Sequence, residues 1–166
     1  MNRKTAFRTL AAALALSGLA AAGAAPAAVT YRNEIGNDPG RCSGSGPAIR
    51  VTVNGVKATS GKLRVQLYRG TASDWLAKGK WINRIEVPAR AGTMTVCMPV
   101  PAAGTYGIAV RHDVNGNGKS DLTSDGGGMS NNPSINVFNL GKPSVSKTAF
   151  QVGGSVKSIA IDMRYM

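Results

Sequence analysis

The chain has 166 residues, a length suited to one domain, and its 20 Lys and Arg residues outnumber 8 Asp and Glu residues. The basic residues are scattered singly and no row of aromatic side chains accompanies them, which argues against nucleic acid as a partner. The net positive charge favours anionic envelope components, such as lipid head groups or cell-wall polymers.

Residues 1–27 have the features of a cleavable export signal. A basic start that includes Arg3 precedes an uncharged run of mostly Ala and Leu over residues 9–22. This run is shorter than the ~20 residues that a membrane-spanning helix needs. Small residues follow, so we expect cleavage after Ala24 or Ala27. The mature protein is therefore expected to be periplasmic or secreted and not to span a membrane.

Residues 28–47 are polar and rich in Gly, Pro and Asn, without a clear period, and we expect an irregular N-terminal extension there. The extension contains Cys42, and the other cysteine of the chain is Cys97. In an oxidising compartment a lone cysteine pair is expected to form a disulfide. Closing this long loop stabilises a fold by about 4 kcal/mol in the chain-entropy model. The alternative, a catalytic or metal-bound thiol pair, lacks the C-x-x-C spacing.

From Ile49 onward, apolar and polar residues alternate. Since successive side chains of a strand point to opposite faces, this period predicts strands with one buried and one exposed face. Gly-containing pairs such as Asn-Gly and Gly-Gly lie between the runs and are typical of turns. One helical turn is expected to begin at Ser73, where Ser and Asp offer a cap. The predicted strands are 49–53, 63–67, 94–98, 106–110 and 159–165, with two more at Trp81–Val87 and Lys147–Val152.

About seven to eight short strands separated by turns predict an all-β fold, an antiparallel β-sandwich over residues 48–166. Pro99, Pro101 and Gly104 lead into Tyr106 at the start of a predicted strand. This arrangement is typical of a tyrosine corner, in which the Tyr hydroxyl bonds back to the upstream backbone.

A polar loop after the strand that contains residues 106–110 matches the calcium-loop pattern D-x-[DN]-x-[DN]-G, with Gly118 as its glycine. Oxygen ligands of this kind suit Ca²⁺. The twelfth place is Ser124 instead of Glu, and two ligand positions are uncharged, so we expect weak affinity, in the millimolar range. The alternative is a metal-free turn in which Asp and Asn side chains bond their own backbone. The residues at the ligand positions are Asp113, Asn115, Asn117, Lys119 and Asp121.

A second polar segment, residues 126–139, begins with three consecutive glycines and continues with Ser130, Asn131 and Asn132. Long loops on a β scaffold often carry binding residues. We therefore expect these three side chains and His112 to form the candidate binding loop, beside the calcium-loop pattern.

Several motifs occur in an order typical of one bacterial family. They are the run Pro101–Asp113 with the Asn-Gly pair after it, the Ser130–Asn132 patch, Lys142–Ser144 and the closing strand at 159–165. In these features the chain resembles the exported family called domain of unknown function 2141, over roughly residues 48–166. The resemblance implies an immunoglobulin- or transthyretin-like sandwich in the envelope, and it implies no activity. The chain departs from the family pattern just before the Ser-Asn-Asn patch, where a stretch containing Pro and Glu is expected.

These observations predict an exported, non-enzymatic binding or structural module of the cell envelope, with its contacts on the two polar loops. One alternative is a hydrolase that uses His112 with Asp113 or Asp121. A single histidine without a converging nucleophile does not favour that alternative. The other alternative is a passive envelope protein that associates with anionic cell-wall or lipid surfaces through its charge.

Overall fold

The computed structural model describes residues 29–121, 123–134 and 141–165. The predicted export signal lies outside the described residues, and so does part of the second polar segment. No helix in the described part of the chain has the length and apolar character needed to cross a membrane.

The described residues form ten strands and two short helices. A 3₁₀ helix spans Pro39–Cys42, and the α-helix α1 spans Val145–Thr148. The strands are β1 (Asn33–Ile35), β2 (Ala48–Val56), β3 (Lys62–Arg69), β4 (Trp81–Pro88), β5 (Gly92–Pro99), β6 (Gly104–Asp113), β7 (Gly126–Met129), β8 (Phe150–Val152), β9 (Val156–Asp162) and β10 (Arg164–Tyr165).

The strands form two sheets. The larger sheet has the order β1-β4-β3-β6-β7-β10, with β8 also paired to β6, and the smaller sheet has the order β5-β2-β9. The prediction of an all-β sandwich is confirmed. It is not wholly antiparallel, because β1 pairs in parallel with β4 and β9 pairs in parallel with β2. A long connection between β2 and β9, which contains most of the larger sheet, allows this parallel pairing.

The alternating apolar side chains line one shared interior between the two sheets, as the period predicted. Ten of them are fully or almost fully removed from solvent, and burying each aliphatic side chain contributes roughly 1.5–3 kcal/mol. These ten are Ile49, Val51, Val53, Leu63, Val65, Leu67, Val96, Met98, Ile108 and Ile161.

The tyrosine corner is also confirmed. The Tyr106 hydroxyl donates a hydrogen bond to the carbonyl of Ala102, 2.9 Å away and four residues upstream. Burial raises the pKa of Tyr106. The bond fixes the turn that leads into β6, the strand on which much of the candidate site is built.

The expected disulfide joins Cys42 to Cys97, with 5.8 Å between the two Cα atoms. It links the 3₁₀ helix to β5, and the side-chain oxygen of Asn37 accepts a hydrogen bond from the Cys97 backbone N–H at 2.9 Å. The segment 28–47 is less irregular than its sequence suggested, since it contributes both the 3₁₀ helix and strand β1.

Two local predictions were wrong in position. The strand expected over Lys147–Val152 is shorter, because helix α1 occupies its first half: the Ala149 N–H bonds to the Val145 carbonyl at 2.8 Å. The turn expected to begin at Ser73 begins at Thr71, whose carbonyl accepts the Trp75 N–H at 3.0 Å.

Candidate functional site

A groove of about 670 Å³ lies on the outer face of the larger sheet, the face turned away from the smaller sheet. This volume falls within the range of ordinary ligand sites. Outward-facing residues of β3, β6, β7 and β10 form its floor, and the loop of residues 113–121, called here the Asp113 loop, forms one wall. Residues on the floor and the opposite walls include Gln66, Leu76, Arg111, Gly127, Lys142 and Arg164.

Three arginines lie in one row across the larger sheet. The strand register pairs Arg64 with Arg111, and it pairs Gly127 with Arg111 on one side and with Arg164 on the other. Like charges directly opposite each other in a sheet repel. Glu86 of β4 is paired with Arg64 and lies 2.5 Å from it, which offsets part of this repulsion.

Arg111 is held against the Asp113 loop. Its Nη1 donates to the Ser120 hydroxyl at 2.8 Å, and its Nη2 donates to the Gly118 carbonyl at 3.0 Å. The same Nη2 lies 3.4 Å from Oδ2 of Asp113. Burial lowers the pKa of Arg111 and the nearby Arg64 lowers it further, while the Asp113 carboxylate opposes both effects. A partly buried cation therefore lies at the base of the loop.

The Asp113 loop is closed by its own side chains. Oδ2 of Asp113 accepts the Gly118 N–H at 2.8 Å. Oδ1 of Asn115 accepts the Asn117 N–H at 3.1 Å, and Oδ1 of Asn117 accepts the Lys119 N–H at 2.7 Å. Such bonds between polar side chains and the backbone are those expected of a metal-free turn.

Two carboxylates complete the loop. Oδ2 of Asp121 accepts hydrogen bonds from the amides of Asn115 and Asn117, at 2.8 and 2.7 Å, and these bonds lower the pKa of Asp121. Asp125 uses both oxygens on the backbone, accepting the N–H of Val114 and that of Asp121, each at 3.1 Å. It therefore closes the loop from the position that follows the twelfth place of the calcium-loop pattern, where that pattern has Glu.

One feature of the loop favours a cation and another opposes a metal ion. Oδ1 of Asp113 is buried without a hydrogen-bond partner. However, the Arg111 guanidinium already contacts the same carboxylate and the Gly118 carbonyl. Among the described residues, no group of three or more His, Cys, Asp or Glu side chains is arranged to hold a metal ion. Calcium binding at Asp113, Asn115, Asn117, Lys119 and Asp121 stays a prediction.

His112 lies in the interior, on the core face of β6, and is fully buried. Its Nε2 is 2.9 Å from the Ser60 carbonyl, which can only accept, so Nε2 carries the proton. Its Nδ1 then accepts from the Tyr165 hydroxyl at 2.7 Å. The hydroxyl of Tyr165 in turn accepts the Lys57 N–H at 2.9 Å. Both nitrogens of the histidine are thus engaged on the face of the sheet opposite Asp113.

The Ser-Asn-Asn patch is bonded to backbone. The Ser130 hydroxyl donates to the Thr148 carbonyl at 2.6 Å and accepts the Ile108 N–H at 3.0 Å. The amides of Asn131 and Asn132 donate to backbone carbonyls at 3.1 and 3.3 Å. Both Asn residues have positive φ, which Asn tolerates better than most residues. The patch joins β6, the C-terminal end of α1 and β9. Neither the patch nor His112 lines the groove.

The groove residues that the sequence analysis did not assign as candidate contacts are Gln66, Leu76, Arg111, Gly127, Lys142 and Arg164. The alternation along β3 and β6 does place Gln66 and Arg111 on an outer face. Leu76 has a φ of 54°, a conformation that is uncommon for a residue of its type and that tends to occur at functional sites.

These features define an all-β sandwich protein with a groove of basic and acidic side chains on one sheet. The model of a family described as "Uncharacterized protein conserved in bacteria", domain of unknown function 2141, matches residues 51–160. The chain therefore belongs to this family, and the resemblance stated from its motifs is confirmed. Searches of curated proteins and of solved structures gave no significant match.

Proposed function

We propose that the protein is a non-catalytic binding module of the bacterial cell envelope and that its ligand lies in the groove. The observation that carries the proposal is the presence of three basic side chains there, beside the carboxylates of Asp121 and Asp125. Arg111, Lys142 and Arg164 all line the groove. Among the described residues, no carboxylate forms an ion pair with Lys142 or Arg164. These two charges are therefore free to meet a ligand.

The disulfide supports the envelope part of the proposal. Disulfides persist in oxidising compartments and are rare in the cytosol. Cys42 and Cys97 are buried in a small cluster with Ala48, so their disulfide is a structural bond and not an exposed thiol pair. This agrees with the export signal predicted from residues 1–27.

The bonding of the acidic and basic groups supports a non-catalytic role. A general base must reach the proton that it abstracts. His112 has both nitrogens engaged in the interior. Asp121 and Asp125 accept hydrogen bonds from the loop itself, and Asp113 faces Arg111. For the three residues that the hydrolase alternative names, this bonding favours a non-catalytic role.

The Asp113 loop is proposed to hold its shape through hydrogen bonds, with Arg111 as its internal cation. Calcium then binds only weakly, in the millimolar range typical of extracellular modules. The loop serves as one wall of the groove, and its carboxylates and amides face a ligand that also contacts Arg164.

The experiment is co-sedimentation of the mature protein with purified cell-wall sacculi and with the polysaccharide fraction of the envelope. A Gln66→Trp variant fills the groove floor, and Thr95→Trp, on the exposed outer face of the smaller sheet, is the matched control. The wild type and the control should bind equally, and Gln66→Trp should bind about tenfold more weakly. Equal binding by all three proteins, or binding by none, would contradict the proposal.

A further inference from the structure

Strand β7 contains three consecutive glycines, and only two of them are required by the packing of the protein. A Cβ at Gly126 would lie 2.3 Å from the ring of Tyr165, and a Cβ at Gly128 would lie 2.7 Å from Cγ2 of Ile161. A Cβ at Gly127 would meet nothing closer than the Val110 carbonyl at 4.0 Å. Gly127 is also absent from the described glycines with positive φ. Neither sterics nor backbone conformation explains it.

Glycine weakens the interior of a strand relative to alanine, and where it occurs it often marks a place that a ligand approaches closely. Gly126 and Gly127 both line the groove, but Gly127 is partly exposed there, whereas Gly126 and Gly128 are buried. The missing side chain leaves the groove floor open at this point. The structure thus has an open position in the groove that its own packing does not require.

Arginines flank this position on both sides. The Cα partners of Gly127 are Arg111 on β6 and Arg164 on β10. Since neighbouring strands lie about 4.8 Å apart, the two arginine backbones are about 10 Å apart across the glycine. Guanidinium groups match the geometry of carboxylates and phosphates. A small oxyanion over Gly127 would lie between two such groups.

The other groove residues narrow the kind of molecule that carries this oxyanion. Ser120, Gln66 and Asp121 line the same groove and offer hydrogen-bond donors and acceptors for hydroxyl groups. The carboxylates of Asp121 and Asp125 repel a densely anionic surface such as a lipid bilayer. An anionic group carried on hydroxyl-rich sugar units fits this charge pattern better.

We infer that the carboxylate or phosphate of an acidic glycan binds on the outer side of Gly127, between Arg111 and Arg164. This inference rests on the proposed function and names its ligand class. Arg164 supplies a cation that has no ion pair within residues 29–121, 123–134 and 141–165, and the absent side chain of Gly127 supplies the room. Glycine at this position thus costs strand stability and leaves space for the ligand.

The test is calorimetric titration of the mature protein at low salt with three soluble probes and, separately, with phosphatidylglycerol vesicles. Trigalacturonic acid supplies carboxylates, glucose 1-phosphate supplies a phosphate, and maltotriose is the neutral comparison. The variants are Gly127→Ala and Arg164→Gln. The control is Gly153→Ala, because a Cβ at Gly153 meets nothing within 4 Å and this glycine lies outside the groove.

Gly127→Ala should melt at the wild-type temperature or higher and should bind the acidic probe about tenfold more weakly. Arg164→Gln should show a similar loss, and Gly153→Ala should bind as the wild type does. The two acidic probes distinguish a carboxylate source from a phosphate source. Wild-type affinity in both Gly127→Ala and Arg164→Gln would overturn the inference, as would binding only to phosphatidylglycerol vesicles.

This outcome can be separated from failure of the proposed function. If Gln66→Trp blocks binding to sacculi while the acidic probes do not bind, the groove is a binding site but no acidic group binds over Gly127. If Gln66→Trp and Gly127→Ala both leave all binding unchanged, the groove is not the binding site.

Discussion

Arg111 is placed so that its guanidinium takes the position of a cation in the Asp113 loop, and this leads to a prediction about calcium. The change is Arg111→Gln, which removes the charge and keeps a polar side chain. The variant loses the hydrogen bonds to Ser120 at 2.8 Å and to Gly118 at 3.0 Å, together with the ion pair to Asp113. It leaves the Asp113 carboxylate without its neighbouring cation, in surroundings where water is largely excluded.

The expected cost follows from burial. The Asp113 side chain is 5% exposed and that of Arg111 is 18% exposed. Removing one partner of a fully buried pair costs about 3–5 kcal/mol. Because Arg111 is partly exposed and Asp113 keeps its bond from the Gly118 N–H, we expect about 2–3 kcal/mol. For a domain of about 140 residues this corresponds to a fall in Tm of about 10 °C.

Calcium should then stabilise the variant more than the wild type. With the guanidinium gone, Asp113 and the Gly118 carbonyl are free to coordinate a cation. If Kd falls to about a tenth of the calcium concentration, linkage restores about 1.4 kcal/mol, or roughly 5 °C. In the wild type, with weak affinity, the shift at about 5 mM calcium should stay below about 2 °C.

The assay is thermal unfolding followed by circular dichroism, with and without about 5 mM CaCl₂ and with MgCl₂ as the ionic-strength control. Arg164→Gln is the matched variant, since it removes an arginine of the same row that has no ion pair among the described residues. An unchanged Tm in Arg111→Gln, or equal calcium shifts in all three proteins, would mean that Arg111 does not occupy a cation position in the Asp113 loop.

Three further changes test the scaffold. Replacing Cys42 and Cys97 by Ala removes a bond that spans 55 residues and should lower the free energy of unfolding by about 4 kcal/mol. If a reducing agent leaves the Tm of the wild type unchanged, the disulfide does not stabilise the fold. Tyr106→Phe should cost about 1 kcal/mol in urea unfolding at an unchanged m-value, and no loss would mean that the corner does not stabilise the fold. Ser130→Ala leaves two buried backbone groups without a partner and should lower the free energy of unfolding by about 2–3 kcal/mol, without changing sedimentation with sacculi. A stable variant that no longer binds sacculi would mean that Ser130 contacts the ligand.

The period-two pattern was sufficient to predict the scaffold, and it also contained information on His112. Residues 106, 108 and 110 of β6 face the core, and residue 112 continues the same period. The same alternation that predicts a buried Ile108 therefore also predicts a buried His112. The sequence analysis placed it in the candidate binding loop because it is polar, although a histidine can be buried when both of its nitrogens are hydrogen-bonded.

The arginine row could not be predicted in the same way. Alternation assigns Arg64 and Arg111 to an outer face, but it does not say which strands are neighbours. Arg164 lies in a two-residue strand that reaches the row only because β10 pairs with β7. The parallel pairing of β2 with β9 was missed for the same reason, since register between distant segments depends on the whole packed sheet.

The most direct test of the groove as an acidic-glycan site is a nuclear magnetic resonance titration of the ¹⁵N-labelled mature protein with trigalacturonic acid. Saturable shifts are expected at the amide of Gly127 and at the amides and guanidinium groups of Arg111 and Arg164. Shifts confined to the smaller sheet, for example at Thr95, or no saturable shift at all, would contradict an acidic-glycan site in the groove.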